Sequence, residues 1–548
     1  MIPDAESERS PDPAEPAQIE TIVAGLWPDH DATALSRRLI GAVGDPVVEP
    51  EPSLDQRSVV LITYADTLRR SGTAPLSTLT RFVTGELDGA FDTVHVLPFF
   101  PSSSDDGFAV IDHRRVRPDL GTWSDIERLA RSSRLMADLV LNHASRSSEW
   151  FRQFQAGEAP GRDAFVTAQP DDDLSRVTRA RPHPLLQSVV TPSGVRQVWC
   201  TFSPDQPDLD HRNPDVLVDL LHTVDTLLAH GVRMLRLDAV AFVWKEPGTT
   251  SVHLDQTHDL VRLIRRLVAH RCPSARLITE TNVPHRENLS YLAGGDQAHL
   301  AYDFTLAPLL IRAVLMQHTT ILTRWLIERE EPPTGTNLLL FLASHDGIGL
   351  RPLEGLVDEA GLRELAAVAE ARGGVVSTYD SATGPRPYEL NVALADLLAD
   401  GDGPDRYRPL VAAHRALLSL AGVPALYVHS LLASPGDRAA VDASGIARRV
   451  NRGSVQLADD ASVAPTGPRG DVFRALVGLL RERARIPAFA PDAPQEVVDL
   501  GSQVLAVRRG TGPDAVLAVT NLSGAPATVR DGGTTVSLDP WAGRWVRA

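Results

Sequence analysis

The chemistry of this chain gathers where short apolar runs break off in charged or hydrogen-bonding residues. LMADLVLNH (135–143) carries Asp138, Asn142 and His143. VRMLRLDAV (232–240) carries Arg236 and Asp238, ARLITET (275–281) carries Glu280, and NLLLFLASHD (337–346) finishes in His345 and Asp346. Brought to one place, these side chains suit the cleavage of a glycosidic bond. One carboxylate attacks the anomeric carbon, while a second carboxyl group protonates the leaving oxygen and then deprotonates the incoming nucleophile. A separation of about 5–5.5 Å between the two gives retention of configuration. Crowding carboxyl groups raises at least one pKa and keeps an acid protonated near neutral pH. Arg236 precedes Asp238 by two residues, so on a strand both point to the same side, and the arginine holds that aspartate ionised and oriented.

The elements that must position these residues are the runs themselves. Besides the four above there are SVVLITYAD (58–66), DTVHVLPFF (92–100), HLAYDF (299–304) and VPALYVHS (423–430), eight in all, alternating with longer amphipathic stretches. Near-continuous apolar strands alternating with helices predict a parallel sheet buried on both faces. Eight such units predict an α/β fold of the (β/α)8 TIM-barrel type, whose C-terminal strand ends form one mouth. A doubly wound sheet would show a Gly-rich phosphate loop after its first strand, and LITYADTLRRSG has none.

Two connections are longer than simple βα loops and are read as inserted subdomains. One, 144–215, is rich in Arg and Pro; the other, 347–410, carries GGVVSTYDSATGPRPYELN. The barrel is thus expected from 58–143, 216–346 and 411–490. From 491 to 548 short alternating segments such as QVLAVRR, AVLAVTNL and TVSL predict a small C-terminal all-β domain. The N-terminal extension, 1–57, divides into a Pro- and acid-rich stretch read as disordered (1–18) and a segment with apolar residues at helical spacing, Ile19, Ile22, Val23 and Leu26.

Net charge is −16, which disfavours nucleic acid and anionic membranes as partners and requires any phosphate-using site to bring its own arginines. No apolar run approaches the roughly 20 residues that span a bilayer, and MIPDAESERSPDPAEPAQ lacks the apolar stretch of a secretory signal, so a cytoplasmic location is expected. Two cysteines, Cys200 and Cys272, give neither a disulfide framework nor zinc spacing.

DLVLNH, RMLRLDAV, ITETN and FLASHD resemble, in order, the four conserved regions of the α-amylase superfamily, glycoside hydrolase family 13, and QPDLD (206–210) resembles its further short region in the long third loop. The resemblance implies Asp238 as nucleophile, Glu280 as general acid/base and Asp346 as a third carboxylate gripping sugar hydroxyls. It implies Arg236, His143 and His345 as lining of the glucose subsite. Many α-amylases bind calcium through an asparagine equivalent to Asn142; no Asp-rich cluster accompanies it here, and neither metal nor cofactor is expected.

VHVLPFFPSSSDDGFAVIDH, VWCTFSPDQPDLD, DAVAFVWKEPGT and SHDGIGL further resemble the sucrose phosphorylase branch, in which phosphate rather than water takes the glucosyl group. That resemblance implies an Asp105/Arg452 pair closing the glucose site, Phe108 and Phe202 as aromatic walls, Gln206 as a polar contact, and phosphate binding by Arg179 or Arg181 together with Tyr388. The partners are then a small α-glucoside and inorganic phosphate, and the assembly, as often in the branch, a homodimer. The extension before the first strand, YELN in the seventh loop and SHDGIGLRPLEG resemble the members acting on glucosylglycerate. They imply glycerate as leaving group and a cation to meet its carboxylate, for which Arg351 is the candidate by position. Fructose, fructose 6-phosphate and glycerol stay open as acceptors, and a retaining α-glucosidase or transglucosidase stays open as a reaction class.

Overall fold

Each of the eight apolar runs contains one strand of a closed parallel barrel: β1 (Val60–Thr63), β2 (Thr93–Val96), β3 (Arg134–Val140), β4 (Val232–Asp238), β5 (Arg276–Thr279), β6 (Leu300–Tyr302), β7 (Asn337–Leu340) and β8 (Val423–Tyr427), paired in that order with β8 returning to β1. The computed structural model describes residues 16–47, 49, 53–179, 181, 183–381, 384–459 and 461–547. Val60, Leu61, Ile62 and Thr63 of β1 are all buried, as a strand covered on both faces requires. The (β/α)8 architecture read from the runs is therefore the one found.

Register decides what meets at the mouth. In the β3–β4 ladder Asp138 pairs with Arg236 and Val140 with Asp238. In the β4–β5 ladder Leu237 pairs with Thr279, so the next residues, Asp238 and Glu280, stand side by side. β7 is shorter than its apolar run. Its ladder to β8 ends at Leu340 opposite Pro424, which has no N–H to donate. His345 and Asp346 consequently sit on an irregular segment past the strand rather than at its tip.

The third connection holds a helix, Glu149–Ala156, and a three-stranded sheet in the order Thr167–Ala168, Gly194–Trp199, Leu186–Thr191. The seventh holds a helix, Glu359–Ala371, and an antiparallel pair, Val375–Ser381 with Gly384–Asn391. At the C-terminus Gln495–Val498, Val504–Arg509, Val516–Asn521 and Gly543–Arg547 form one sheet, and Ala527–Asp531 with Thr534–Leu538 a hairpin.

The N-terminal segment differs from expectation at its edge. Helix α1 spans Pro16–Leu26, so residues 16–18, read as disordered, form its first turn; proline suits that position because its φ is preset and its missing N–H has no intrahelical use. Residues 1–15 lie outside the described part. Ile19, Val23 and Leu26 make one buried face of α1. Helix α2 (Ala32–Ala42) is capped by Asp31, whose side chain accepts from Ala34 N at 2.9 Å. The pair packs on barrel helices α3 (Pro214–Ala229) and α4 (Asp255–Arg271), with α1 against α4 and α2 against α3. Fully buried side chains such as Ile19, Val23 and Leu39 contribute about 1.5–3 kcal/mol each. Trp27, after α1, donates from Nε1 to His211 O at 3.1 Å, and His211 Nε2 lies 2.7 Å from Leu141 O beside the mouth. Among the described residues no helix is long and apolar enough to cross a membrane.

Candidate active site

Arg236 organises the carboxyl groups. Its buried guanidinium donates from Nη1 to Asp238 Oδ1 at 2.8 Å and to Asp138 Oδ1, and its Nη2 lies 3.8 Å from Glu280 Oε2. The Ala239 N–H donates to Glu280 Oε2 at 3.0 Å. It does so from left-handed backbone, φ 49°, uncommon for a residue with a Cβ and held where a site over-determines it.

Burial raises the Asp238 carboxyl, Arg236 pulls it back, and the charges of Glu280 and Asp138 push it up again, to about 8. Adjacent acids of this kind titrate as a pair. Retaining chemistry needs the charge on one and the proton on the other, and the 2.8 Å contact of Arg236 with Asp238, against 3.8 Å to Glu280, favours the charge on Asp238.

Asp346 is held from above. Arg448 Nη1 lies 2.7 Å and Arg452 Nη2 3.2 Å from its Oδ1. Burial pushes its carboxyl up, but Arg448, His345, Arg452 and Arg236 outweigh that and hold it far below the usual range. Arg452 also lies 3.3 Å from Asp105 and 2.9 Å from Asp106, while Arg449 takes Asp106 at 2.7 Å. The structure thus brings Asp105 and Arg452 together, and adds Asp106 as the shorter partner. Both aspartates adopt left-handed backbone (φ 51° and 47°), and Gly107 follows at φ 121° where a Cβ would meet Pro98 O at 2.8 Å. Short polar side chains tolerate that conformation best, which is why an Asp-Asp-Gly sequence makes this turn.

The ring walls are assembled around these acids. Phe108 is buried and stacks on His345, with centroids 4.9 Å apart and planes 8° off parallel, and the Arg236 guanidinium carbon is 5.7 Å from its centroid. Burial lowers the His345 pKa to about 3, so its ring is neutral. Its Nδ1 is buried with no hydrogen-bond partner among the described residues. His143 Nε2 lies 3.2 Å from Phe108 O and 3.0 Å from Gln206 Nε2, and Gln206 also reaches Asp105 at 3.3 Å. Phe202 is half-buried against His143, at 5.5 Å between centroids.

Asn142 faces an ammonium ion. Lys245 Nζ donates to Asn142 Oδ1 at 2.7 Å and to Phe242 O, and lies 3.1 Å from Asp208 Oδ2. Among the described residues no group of three or more His, Cys, Asp or Glu is disposed to hold a metal.

The expected phosphate and acceptor residues are less tightly placed. Arg179 is exposed and turns its fork back on its own loop, onto the carbonyl oxygens of His183 and Arg181. Arg181 is half-buried, and its side chain makes no ion pair among the described residues. Tyr388 is half-buried, 6.3 Å from the Tyr379 ring, and its carbonyl accepts from Leu350 N at 2.8 Å. Arg351 is exposed in a short turn of helix, with its charge felt by His253. Glu389, of the YELN segment, is buried and bound at 2.6 Å by Arg448 Nη2.

The sequence singles out Asp138 at its strand end, and the structure places it against Arg236 and His95; Arg448, Asp106, His95 and Lys245 were not anticipated as members of this assembly. Asp106 directly follows Asp105, and Arg448 stands four residues before Arg452. Lys245 carried a signal that was there to read, being the one lysine among 54 basic residues.

Residues 88–346 match the family model described as the alpha-amylase catalytic domain. The chain is 40% identical over 505 residues to a glucosylglycerate phosphorylase of Allomeiothermus silvanus, with 91% of each chain covered. It is 30% identical to a sucrose phosphorylase of Agrobacterium vitis, covering 87% of this chain and 98% of that one. The crystal structure of sucrose 6F-phosphate phosphorylase from Thermoanaerobacter thermosaccharolyticum superposes with a TM-score of 0.75 at 25% identity, over 89% of this chain and 99% of that one. With its barrel, its ordered motifs and these relatives taken together, the chain belongs to the α-amylase family, glycoside hydrolase family 13, in its sucrose phosphorylase branch.

Proposed function

We propose that this enzyme is a retaining phosphorylase that moves the glucosyl group of 2-O-α-glucosylglycerate to inorganic phosphate, giving α-glucose 1-phosphate and glycerate. The observation that carries the retaining chemistry is the Asp238/Glu280 pair gathered on one guanidinium. The 40% identity with a glucosylglycerate phosphorylase, against 30% with a sucrose phosphorylase, favours glycerate as the leaving group.

In this reading Asp238 attacks the anomeric carbon as Glu280 passes its proton to the departing glycerate oxygen, leaving a covalent glucosyl–Asp238. Phosphate then attacks the same carbon as its proton passes to Glu280, Asp238 departs as the carboxylate, and the configuration is retained. Asp346, His143, His345 and Gln206 bind glucose hydroxyls, Phe108 and Phe202 wall the ring, and Asp105, Asp106 and Arg452 close the far end. Arg181 and Tyr388 receive phosphate. Arg181 is favoured over Arg179 because Arg179 spends its fork on loop carbonyls. Arg351 meets the glycerate carboxylate, since no carboxylate among the described residues pairs with it. Both half-reactions are substitutions at one carbon and call for no cofactor. The reaction is assigned to the cytoplasm, and the homodimer expected from the branch is checked by light scattering.

The test is glucose 1-phosphate release from glucosylglycerate, sucrose, sucrose 6′-phosphate and glucosylglycerol, with and without phosphate. Phosphate-dependent release from glucosylglycerate is the expected result. Release from another member alone replaces the acceptor, and free glucose at a rate indifferent to phosphate overturns the phosphorylase reading.

A further inference from the structure

His95 lies in the barrel one layer beneath the acids and takes part in none of the steps above. It is the third residue of β2, fully buried, with Nε2 at 2.8 Å from Asp138 Oδ2. The other oxygen of Asp138 receives Arg236, which donates in turn to Asp238. Burial pushes the Asp138 carboxyl up, but Arg236 and His95 outweigh it and its pKa ends below the usual value, so Asp138 is charged. A charged carboxylate only accepts, which places a proton on His95 Nε2. His95 Nδ1 is 3.5 Å from the Tyr302 hydroxyl, and the Tyr302 ring lies 5.5 Å from the Arg236 guanidinium carbon.

A carboxylate anchored through one oxygen swings about its Cβ–Cγ bond. His95 fixes the second oxygen, so Asp138 Oδ1 stays aimed at Arg236 and Arg236 stays aimed at Asp238. We propose that His95 is a positioning residue for glucosyl transfer, acting through Asp138 and Arg236 to hold the Asp238 carboxylate in line with the anomeric carbon. The inference rests on the reading of Asp238 as nucleophile. A histidine that merely filled the barrel would be needed for its volume and not for its Nε2–H.

The test compares His95→Leu, which removes the donor, with His95→Gln, whose amide returns an N–H near the Nε2 position. The expected result is a loss in kcat on the order of 10²-fold for His95→Leu, the scale of a reacting group misplaced by about 1 Å, with KM for the donor little changed. His95→Gln regains most of that loss. The alkaline limb of the kcat–pH profile moves in the leucine variant and not in the glutamine one. The groups facing this relay are otherwise intact in both variants: His345 beside Asp138 and Arg236, and Glu280 beside Asp238. Equal impairment of the two variants with an unmoved pH profile, or no impairment, overturns the proposal.

Should the variants not fold, the wild-type enzyme answers through the His95 Nε2–H proton resonance before and after a fluorinated glucosyl fluoride traps the covalent intermediate. Capture removes the Asp238 charge, and the resonance is expected to shift. Mass spectrometry of the same trapped enzyme separates the two readings. An adduct on Asp238 with an unmoved resonance overturns the relay alone, and an adduct on any other residue overturns the nucleophile assignment and the relay with it.

Discussion

The Lys245 ammonium stands 3.1 Å from the Asp208 carboxylate, with both side chains closed off from solvent. Everywhere else the chain uses arginine for positive charge, and here it keeps its one lysine. The slot explains the choice. Asn142 Oδ1, Phe242 O and Asp208 converge on a point, which a compact ammonium fills and a planar guanidinium does not. The ion holds the start of the third loop, at Asn142, against Asp208 of the QPDLD segment and the turn after β4, three pieces of chain that frame the mouth.

Removing that charge leaves Asp208 buried and unpaired, so Lys245→Met should destabilise the fold by about 3–5 kcal/mol. Adding Asp208→Asn to the same chain should recover part of the loss, because the orphaned charge is gone. Lys245→Arg should also destabilise, by about 1–3 kcal/mol from overpacking. Urea unfolding of the four proteins measures this. Equal stability of wild type and Lys245→Met would show that the ion pair is not what fastens the loop.

The Asp238/Glu280 pair should give a bell-shaped pH profile of kcat with its alkaline limb near 8, where the pair loses its last proton. Part of the rise at Asp238 comes from charge on Glu280. Glu280→Gln removes that charge and should lower the Asp238 pKa. With glucosyl fluoride, a donor whose leaving group needs no proton, Glu280→Gln should keep measurable glucosylation and lose the alkaline limb. A limb that persists unchanged in this variant would assign it to some group outside the pair.

Arg448 should matter to the acid limb. Burial alone would raise Asp346, and Arg448 is the largest of the influences that hold it down. In the proposed reading Asp346 binds sugar in its ionised form, which is lost as pH falls through the folded-state pKa. Arg448→Met raises that pKa and moves the acid limb of kcat/KM to higher pH, while freeing Glu389 from its 2.6 Å contact. A profile measured between pH 4 and 8 decides it: a new acid limb is expected to enter that window in the variant, and its absence there would show that Arg448 is not what holds Asp346 down.

What was legible in the sequence follows from what each signal depends on. The barrel was readable because strands buried on both faces must be apolar along their length, and the strand ends of the candidate site because charge there interrupts such a run. Glu280 met Asp238 through ladder register, which parallel pairing supplies without further information. The Asp105/Arg452 contact could be anticipated from motif resemblance, but Asp106 could not, because a turn of two left-handed aspartates decides which carboxylate faces the arginine. Arg448 escaped for a similar reason. Only the fold of the segment after β8 shows that it reaches both Asp346 and Glu389. His95 was hidden in plain view within DTVHVLPFF, where a polar residue inside an apolar run is the trace of an interior partner. The end of α1 at Pro16 was missed because composition alone reports the acidic, Pro-rich stretch before it, and proline is equally at home in a coil and in a first helical turn.

Arg179 is spent on carbonyl oxygens, whereas Arg181 and Arg351 have no carboxylate partner among the described residues. The two anionic reactants of the proposed reaction, phosphate and glycerate, should divide these two cations between them. A hydrogen bond to a charged group is worth about 1.5–3 kcal/mol, or on the order of 10- to 100-fold in affinity. Arg181→Gln should therefore raise KM for phosphate by that factor in the degradative direction and leave KM for glycerate in synthesis close to wild type. Arg351→Gln should do the reverse. Initial-rate kinetics in both directions check the pair. Should both substitutions raise both constants alike, the two anions would share one binding position and leave it in turn, glycerate departing before phosphate enters, and the two arginines would act as a single clamp rather than as separate readers.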